Sequence, residues 1–304
     1  MLMLVLFAAA AFTNGDQEES GGKVYLDFND WNPEGIPSTN LWTDTVDRIN
    51  ANSNGTIEVT NYLSGSLLKF PETFKGVSSG MADISLYLMG GAPGIHELTE
   101  IYDLPFLGFK SYPQAMEIYN ELLVEFPEIQ AENEEKGVRI LSIRPMPPYW
   151  INSVKKPIRV PADMQGEKAI ATGYYGMIAS EAAGVAMQTG PGDWYSSLQK
   201  GVVQHIITHW AAMFAFQLGE VTEYHTQFGA GGLGNSGMCV LINLDTWNSL
   251  TAEQQEIIEE AYNWYQLEVA SIDLGLQDNT IAKLKSEGDT FIELTDEELQ
   301  QWYK

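Results

Sequence analysis

The stretch Pro161–Gln204 reads PADMQGEKAIATGYYGMIASEAAGVAMQTGPGDWYSSLQKGVVQ. A Pro-Ala-Asp turn leads through Gly166 to a short apolar run, Lys168–Ala171. A helical pattern follows from Tyr175 to Ala183, and Gly184 stands where a left-handed residue would stop it. Val185-Ala-Met187 reads as a second short strand. Asp193 is placed to cap a helix over Trp194–Lys200, which Gly201 ends, and Val202-Val203 opens a third strand. The alternation β-α-β-α-β predicts a parallel sheet with its ligand crevice at the strand ends.

Upstream, Val24–Phe28 is a short strand running into the loop Asn29–Gly35. Ser38 or Thr39 is placed to cap a helix over Asn40–Ala51, with Leu41, Trp42, Val46 and Ile49 at helical spacing. Asn54-Gly55 turns into a strand over Ile57–Tyr62, and a third strand covers Ala82–Met89. Helical patterns cover Tyr112–Phe126 and Glu128–Lys136. A strand over Val138–Ile143 then runs into Pro145-Met-Pro-Pro148, where the chain is expected to cross between lobes. Downstream, the glycine-rich Gly229–Gly237 is the expected crossing back, near Ser236.

Thr251-Ala-Glu-Gln254 is a capping box. It opens a helical pattern that persists to about Lys285, a length of roughly 50 Å. Such a helix exceeds one small lobe and is expected to span two. Gly288 ends it, and Thr295-Asp-Glu-Glu298 caps a last short helix.

The 304 residues suffice for two lobes of ordinary size, and 44% hydrophobic with 19% charged residues indicate a globular chain. The 41 acidic residues outnumber the 16 basic ones, for a net charge of −25. That surface repels phosphate backbones, which argues against nucleic acid as a partner. The lone Cys239 lies in the apolar run Met238–Ile242 and reads as a buried small hydrophobe. Met1–Phe12 is an apolar run of signal-peptide length, too short to span a bilayer, although no Lys or Arg precedes it. Removal of residues 1–15 and a polar tether over 16–22 are expected.

Several catalytic patterns match in the wrong context. Gly76-Val-Ser-Ser-Gly80 fits a nucleophile elbow, but a helix precedes it and a strand follows. Gly229-Ala-Gly-Gly-Leu-Gly234 fits a dinucleotide fingerprint but precedes a strand, so no helix N-terminus awaits a pyrophosphate. His205 and His209 have zincin spacing without the glutamate between them, in a segment that reads as a strand end. No metal, cofactor or covalent chemistry is expected.

Six pieces, in order, carry a family resemblance. They are Asn54–Val59, Ser64–Leu68, Gly80–Ile84, Asp103–Leu107, the "P-x-D-x-x-G-x-K … G-V-x-M … S-L-Q-x-G-V-V" of the opening stretch, and Val240–Leu250. Together they resemble the solute-binding proteins of TRAP transporters, the dicarboxylate-binding DctP type, from about Lys23 to the C-terminus. The resemblance implies an α/β, two-lobed periplasmic-binding-protein fold with a long helix spanning both lobes. Lobe I would comprise 23–147 with 236–272, and lobe II 148–235 with 273–304. It implies an exported, extracytoplasmic monomer that captures a small-molecule solute and delivers it to a membrane permease of small and large subunits driven by a sodium gradient. A ligand sensor on the same fold is the alternative class, and an extracytoplasmic enzyme the remoter one.

In the family, an Arg two residues after the Lys of "G-x-K-x-R" pairs with the ligand carboxylate. Here that position is Ile170. A second basic position holds Tyr149 or Trp150, and the usual Asp-Gly after "G-V-V" is Gln204-His205. Aromatic residues crowd the same strand ends: Trp31, Tyr87, Tyr149, Trp150, Tyr174, Tyr175 and Trp210. With Thr172 they form the expected ligand site, which suits a solute with an aromatic or apolar part, or a cation held over aromatic faces. If the solute is an acid, Arg144, His205 or His209 is the expected positive partner.

Overall fold

The computed structural model describes residues 22–91 and 94–304. The expected export segment 1–15 and most of the tether lie outside those residues. In chain order, β1 (Val24–Asn29), α1 (Pro37–Asn52), β2 (Ile57–Tyr62), α2 (Thr73–Ser78) and β3 (Ile84–Leu88) come first. Next are α3 (Tyr112–Glu125), α4 (Pro127–Glu134), β4 (Val138–Pro145) and β5 (Tyr149–Ser153). The opening stretch becomes β6 (Lys168–Ile170), α5 (Gly173–Ala183), β7 (Val185–Met187) and α6 (Trp194–Gln199), followed by β8 (His205–His209) and α7 (Trp210–Ala215). The chain ends with β9 (Tyr224–Gln227), β10 (Gly237–Asn243), α8 (Leu244–Ser249), α9 (Ala252–Glu287), β11 (Thr290–Glu293) and α10 (Asp296–Trp302).

These elements build two sheets, one per lobe. The first has the order β2-β1-β3-β10-β4, and the second β11-β9-β5-β8-β6-β7. In the second, β6 pairs parallel with both β7 and β8, the arrangement expected of the βαβαβ stretch. Three starting points differ from the sequence reading. The strand after "G-V-V" begins at His205, because the Val202 and Val203 amides turn back onto the Ser197 carbonyl. Asp193 does not cap α6; it sits at the end of a 3-10 turn that runs straight into the helix. Helix α1 starts at Pro37, whose fixed φ suits a first helical turn, ahead of Ser38 and Thr39.

Two crossings join the sheets. The chain leaves β4 of the first sheet through Met146–Pro148 into β5 of the second. It returns from β9 through the glycine-rich segment into β10, which inserts antiparallel between β3 and β4. All seven β10 residues are buried, Cys239 among them, which explains the unbroken apolar run.

Helix α9 runs 36 residues, about 54 Å at 1.5 Å per residue. Thr251 Oγ1 accepts the Gln254 N–H while Gln254 Oε1 accepts the Thr251 N–H, and Gly288 closes the helix at φ +103°. Its first half packs Tyr262 and Tyr265 on Trp42 of α1, with centroids 5.5 and 5.7 Å apart. Its far end buries Leu284 in a separate cluster with Trp150, Trp210 and Leu218 beside the second sheet. One helix thus ties both lobes.

Candidate functional site

A cavity of about 60 Å³ lies between the lobes, where the strand ends meet α9. That is below the roughly 300–1,000 Å³ typical of small-molecule pockets, so a solute of more than a few atoms enters only when the lobes part. Lobe I contributes Trp31, Phe70, Leu86 and Arg144; lobe II contributes Tyr149, Ile170, Thr172, Trp194, Thr208 and His209; α9 contributes Tyr265 and Asp273. Trp31 follows the end of β1, and its indole N–H donates to the Leu86 carbonyl at 3.2 Å. Phe70 meets it edge-on with centroids 4.8 Å apart. Tyr149, first residue of β5, is stacked on Tyr175 of α5 at 4.5 Å and 8°. These contacts fix both rings before any solute arrives.

The cavity's charges are one pair. Arg144, near the end of β4, donates from Nη1 to Asp273 Oδ2 at 2.6 Å, with the two side chains 5% and 2% exposed. Burial is the largest influence and opposes the Arg144 charge, but Asp273, Tyr112 and Tyr265 together outweigh it and hold the guanidinium above its ordinary pKa. Burial pushes the Asp273 carboxyl up, and the adjacent Arg144 draws it only part of the way back. Arg144 is therefore not the free cation that the sequence reading offered for an acid; its charge is cancelled inside the protein.

Nor does either histidine supply one. His209 lines the cavity, but burial, then Arg144, lowers its pKa to about 3, leaving a neutral ring. Its Nδ1 accepts the Ala212 N–H, so the proton sits on Nε2 as a donor. His205, at the other end of β8, is absent from the cavity wall. Its Nδ1 shares a hydrogen with Ser153 Oγ at 2.8 Å and its Nε2 meets Glu167 at 2.6 Å. Ser153–His205–Glu167 has the partner order of a nucleophile triad, but Ser153 is 1% exposed and does not line the cavity. The chain of bonds satisfies buried polar atoms of the second sheet.

Of the other expected site residues, Trp31, Arg144, Tyr149, Ile170, Thr172 and His209 line the cavity, whereas Tyr87, Trp150, Tyr174, Tyr175, His205 and Trp210 do not. Along β5, successive side chains point to opposite faces, so Tyr149 meets the cleft and Trp150 the packing behind it. Trp150 packs edge-on against Trp210 at 5.0 Å, and Trp210 stacks on Phe291 at 5.7 Å. Tyr87 lies between Phe74 and His96 in another cluster of the first lobe. Tyr175 acts at one remove, through Tyr149. Tyr174 donates from its hydroxyl to Glu100 Oε2 at 2.7 Å, a contact between lobes outside the cavity.

The sequence reading missed Phe70, Trp194, Thr208, Tyr265 and Asp273. An acid between Ile272 and Leu274 was the available signal for Asp273. A second buried acid, Asp103, lies beside the cleft and belongs to the Asp-Leu-Pro-Phe-Leu piece. It accepts the Ser236 hydroxyl and faces Gly90 and Gly173, where an added Cβ on Gly173 would collide with its carboxylate and with the Gly90 backbone. Glycine there lets the first turn of α5 close onto the first lobe. Burial pushes Asp103 up to about 7, against the Ser236 and Tyr174 donors that favour its charge.

Known proteins agree with this architecture. The family model described as bacterial extracellular solute-binding protein, family 7 (DctP) matches residues 28–304. The fold is similar to DctP7, an extracytoplasmic solute receptor of Bordetella pertussis binding pyroglutamic acid, at TM-score 0.80 and 20% identity over 92% of this chain and 91% of that one. It is similar to a TRAP periplasmic solute-binding protein of Chromohalobacter salexigens with bound D-glucuronate, at TM-score 0.81 and 20% identity over the same shares. A marine metagenome TRAP protein specific for aromatic acids, with 3-hydroxybenzoate, matches at TM-score 0.80 and 22% identity over 93% of this chain and 88% of that one. With its two lobes, two crossings, spanning helix and cleft at the strand ends, the chain belongs to the DctP family of bacterial extracellular solute-binding proteins of TRAP transporters.

Proposed function

We propose that the cavity between the lobes is where this protein captures its solute, and that capture shifts it from an open to a closed form recognised by a membrane permease. The carrying observation is that the cavity wall is drawn from both lobes and from α9 at once, so a solute inside it bridges all three. A ligand that contacts both lobes favours the closed state by its differential affinity for that state. On this reading the lobes divide at Met146–Pro148 and near Ser236, the protein acts as a monomer outside the cytoplasm after export, and it catalyses no reaction. Among the described residues no helix is long and apolar enough to cross a membrane, which suits that location. The similar proteins hold small organic acids, which makes organic acids with apolar bodies the first solutes to test.

Trp31, Phe70, Tyr149 and Trp194 present the apolar surface, and Thr172, Thr208 and His209 Nε2 the neutral hydrogen-bonding groups. The test is a thermal-shift screen of organic acids, amino acids and quaternary amines on refolded, ligand-stripped protein. A solute at 100-fold its Kd adds about 2.7 kcal/mol of stability. Small-angle scattering then checks that the hit compacts the molecule; a hit that binds with no compaction contradicts capture by closure.

A further inference from the structure

Resting on that reading of the cleft, we infer that the solute is a small zwitterion, an acid that carries its own positive group, with no net charge at neutral pH. Among the residues that line the cavity, the only formal charges are Arg144 and Asp273, and they neutralise each other across 2.6 Å. The remaining wall is aromatic, aliphatic or neutral and hydrogen-bonding. A net anion closed into this space would face Asp273 with no unpaired cation to meet it, and a net cation would face Arg144 in the same way. Either leaves one buried charge uncompensated, which is strongly unfavourable. A zwitterion sets its carboxylate toward Arg144 and its cationic group toward Asp273, so every charge keeps an opposite neighbour. Among the described residues Arg144 Nε has no partner, so the guanidinium has donor capacity beyond its single bond to Asp273 and the weak 3.5 Å contact to the Pro145 carbonyl. The field outside points the same way: a chain of net charge −25 does not draw anions toward its cleft.

The experiment uses ligand-stripped full-length mature protein and a thermal-shift and calorimetric panel matched by skeleton. The probes are phenylalanine, 3-phenylpropionate and 2-phenylethylamine, then proline, glycine betaine, pyroglutamate, malate and 3-hydroxybenzoate. The expected result is that the tightest binder is a zwitterion, at least about tenfold tighter than the matched anion. A net anion as the tightest binder of wild-type protein overturns the inference. Asp273→Asn releases the Arg144 charge, so the preference should move toward the anion of the same skeleton by about tenfold or more. An unchanged ranking in folded Asp273→Asn also overturns it. Because that variant leaves a buried guanidinium unpaired, the double variant Arg144→Met/Asp273→Leu is run beside it, and circular dichroism checks both folds. The double variant should lose zwitterion affinity by about tenfold or more, and undiminished affinity contradicts the proposal. Trp31→Ala separates the two readings. A zwitterion whose affinity ignores Trp31 overturns the cleft itself, whereas an anion that outbinds the zwitterion and depends on Trp31 overturns only the charge assignment.

Discussion

Two aromatic groups differ in what holds them. At the cleft, Trp31 and Phe70 meet edge-on, Tyr149 packs on Tyr175 and His209, and all three line the cavity. In the packing behind the second sheet, Trp150, Trp210, His225 and Phe291 contact one another on all sides, and Trp210 is 1% exposed. On the proposed function, the same residue types serve recognition in one region and cohesion in the other. Position along the strand decides between them: Tyr149 and Trp150 are neighbours in sequence and face opposite ways. Substitutions that remove rings from the second group should act on stability, and those that remove rings from the first on affinity.

The largest effect is expected at Trp210. Trp210→Ala deletes a fully packed ring and should destabilise the protein by about 3–5 kcal/mol. Denaturant unfolding checks this, and a loss below about 1 kcal/mol would remove the distinction between the two groups.

The next contrast is between two buried acids. Asp273 has a guanidinium partner, whereas Asp103 has only neutral donors and a carboxyl pushed up to about 7. Between the ordinary value near 3.8 and that figure, native protein keeps a proton that the unfolded chain has released. Asp103 therefore makes stability fall as pH rises through that window. Its full contribution is on the order of 4 kcal/mol. His209, lowered to about 3, works in the opposite direction: its stability is lost as pH falls below its ordinary value. The difference between wild type and Asp103→Asn isolates the acid. Unfolding measured at about pH 4.5, inside the window near its lower end, and at about pH 7.5, just above its upper end, should show the variant gaining relative to wild type at the higher pH. Equal differences at both would contradict a buried carboxyl that resists ionisation.

Much of the architecture is legible in the sequence because its signals are local. The capping box at Thr251 and Gln254, the left-handed Gly288, the prolines after β4 and the βαβαβ punctuation each lie within a few residues of the feature they specify. The polar centre of the cleft is not legible, because Arg144 and Asp273 are 129 residues apart and meet only once α9 packs across both lobes. Facing direction is likewise hidden at β5 and β8, where both sides of the sheet are buried and apolar alternation gives no cue. For the same reason Trp150, placed by sequence at the ligand, packs behind the sheet, and Trp210, the first residue of α7, packs against it there. Ile170 is an intermediate case: its substitution for a basic residue is visible in the sequence, but that it joins the apolar cluster of Trp194 and Trp210 is visible only in the fold.

A smaller effect is expected where the lobes touch outside the cavity. Tyr174→Phe removes the hydroxyl that meets Glu100 on the opposite lobe. In this half-exposed position the bond is worth about 0.5–1.5 kcal/mol in the closed form. The variant should weaken solute binding by roughly threefold to tenfold while leaving denaturant stability of the solute-free protein nearly unchanged. An equal loss of stability without solute would assign the contact to folding rather than closure.

The most direct measurement is calorimetric titration of one solute, the best stabiliser from the thermal screen, against wild type, Trp31→Ala and Trp150→Phe. Trp31→Ala should weaken binding by about 1–3 kcal/mol, a tenfold or greater rise in Kd, with the fold intact. Trp150→Phe should leave Kd within about twofold while lowering the unfolding midpoint. The reverse pattern, with affinity following Trp150 and indifferent to Trp31, would contradict capture in the cleft between the lobes.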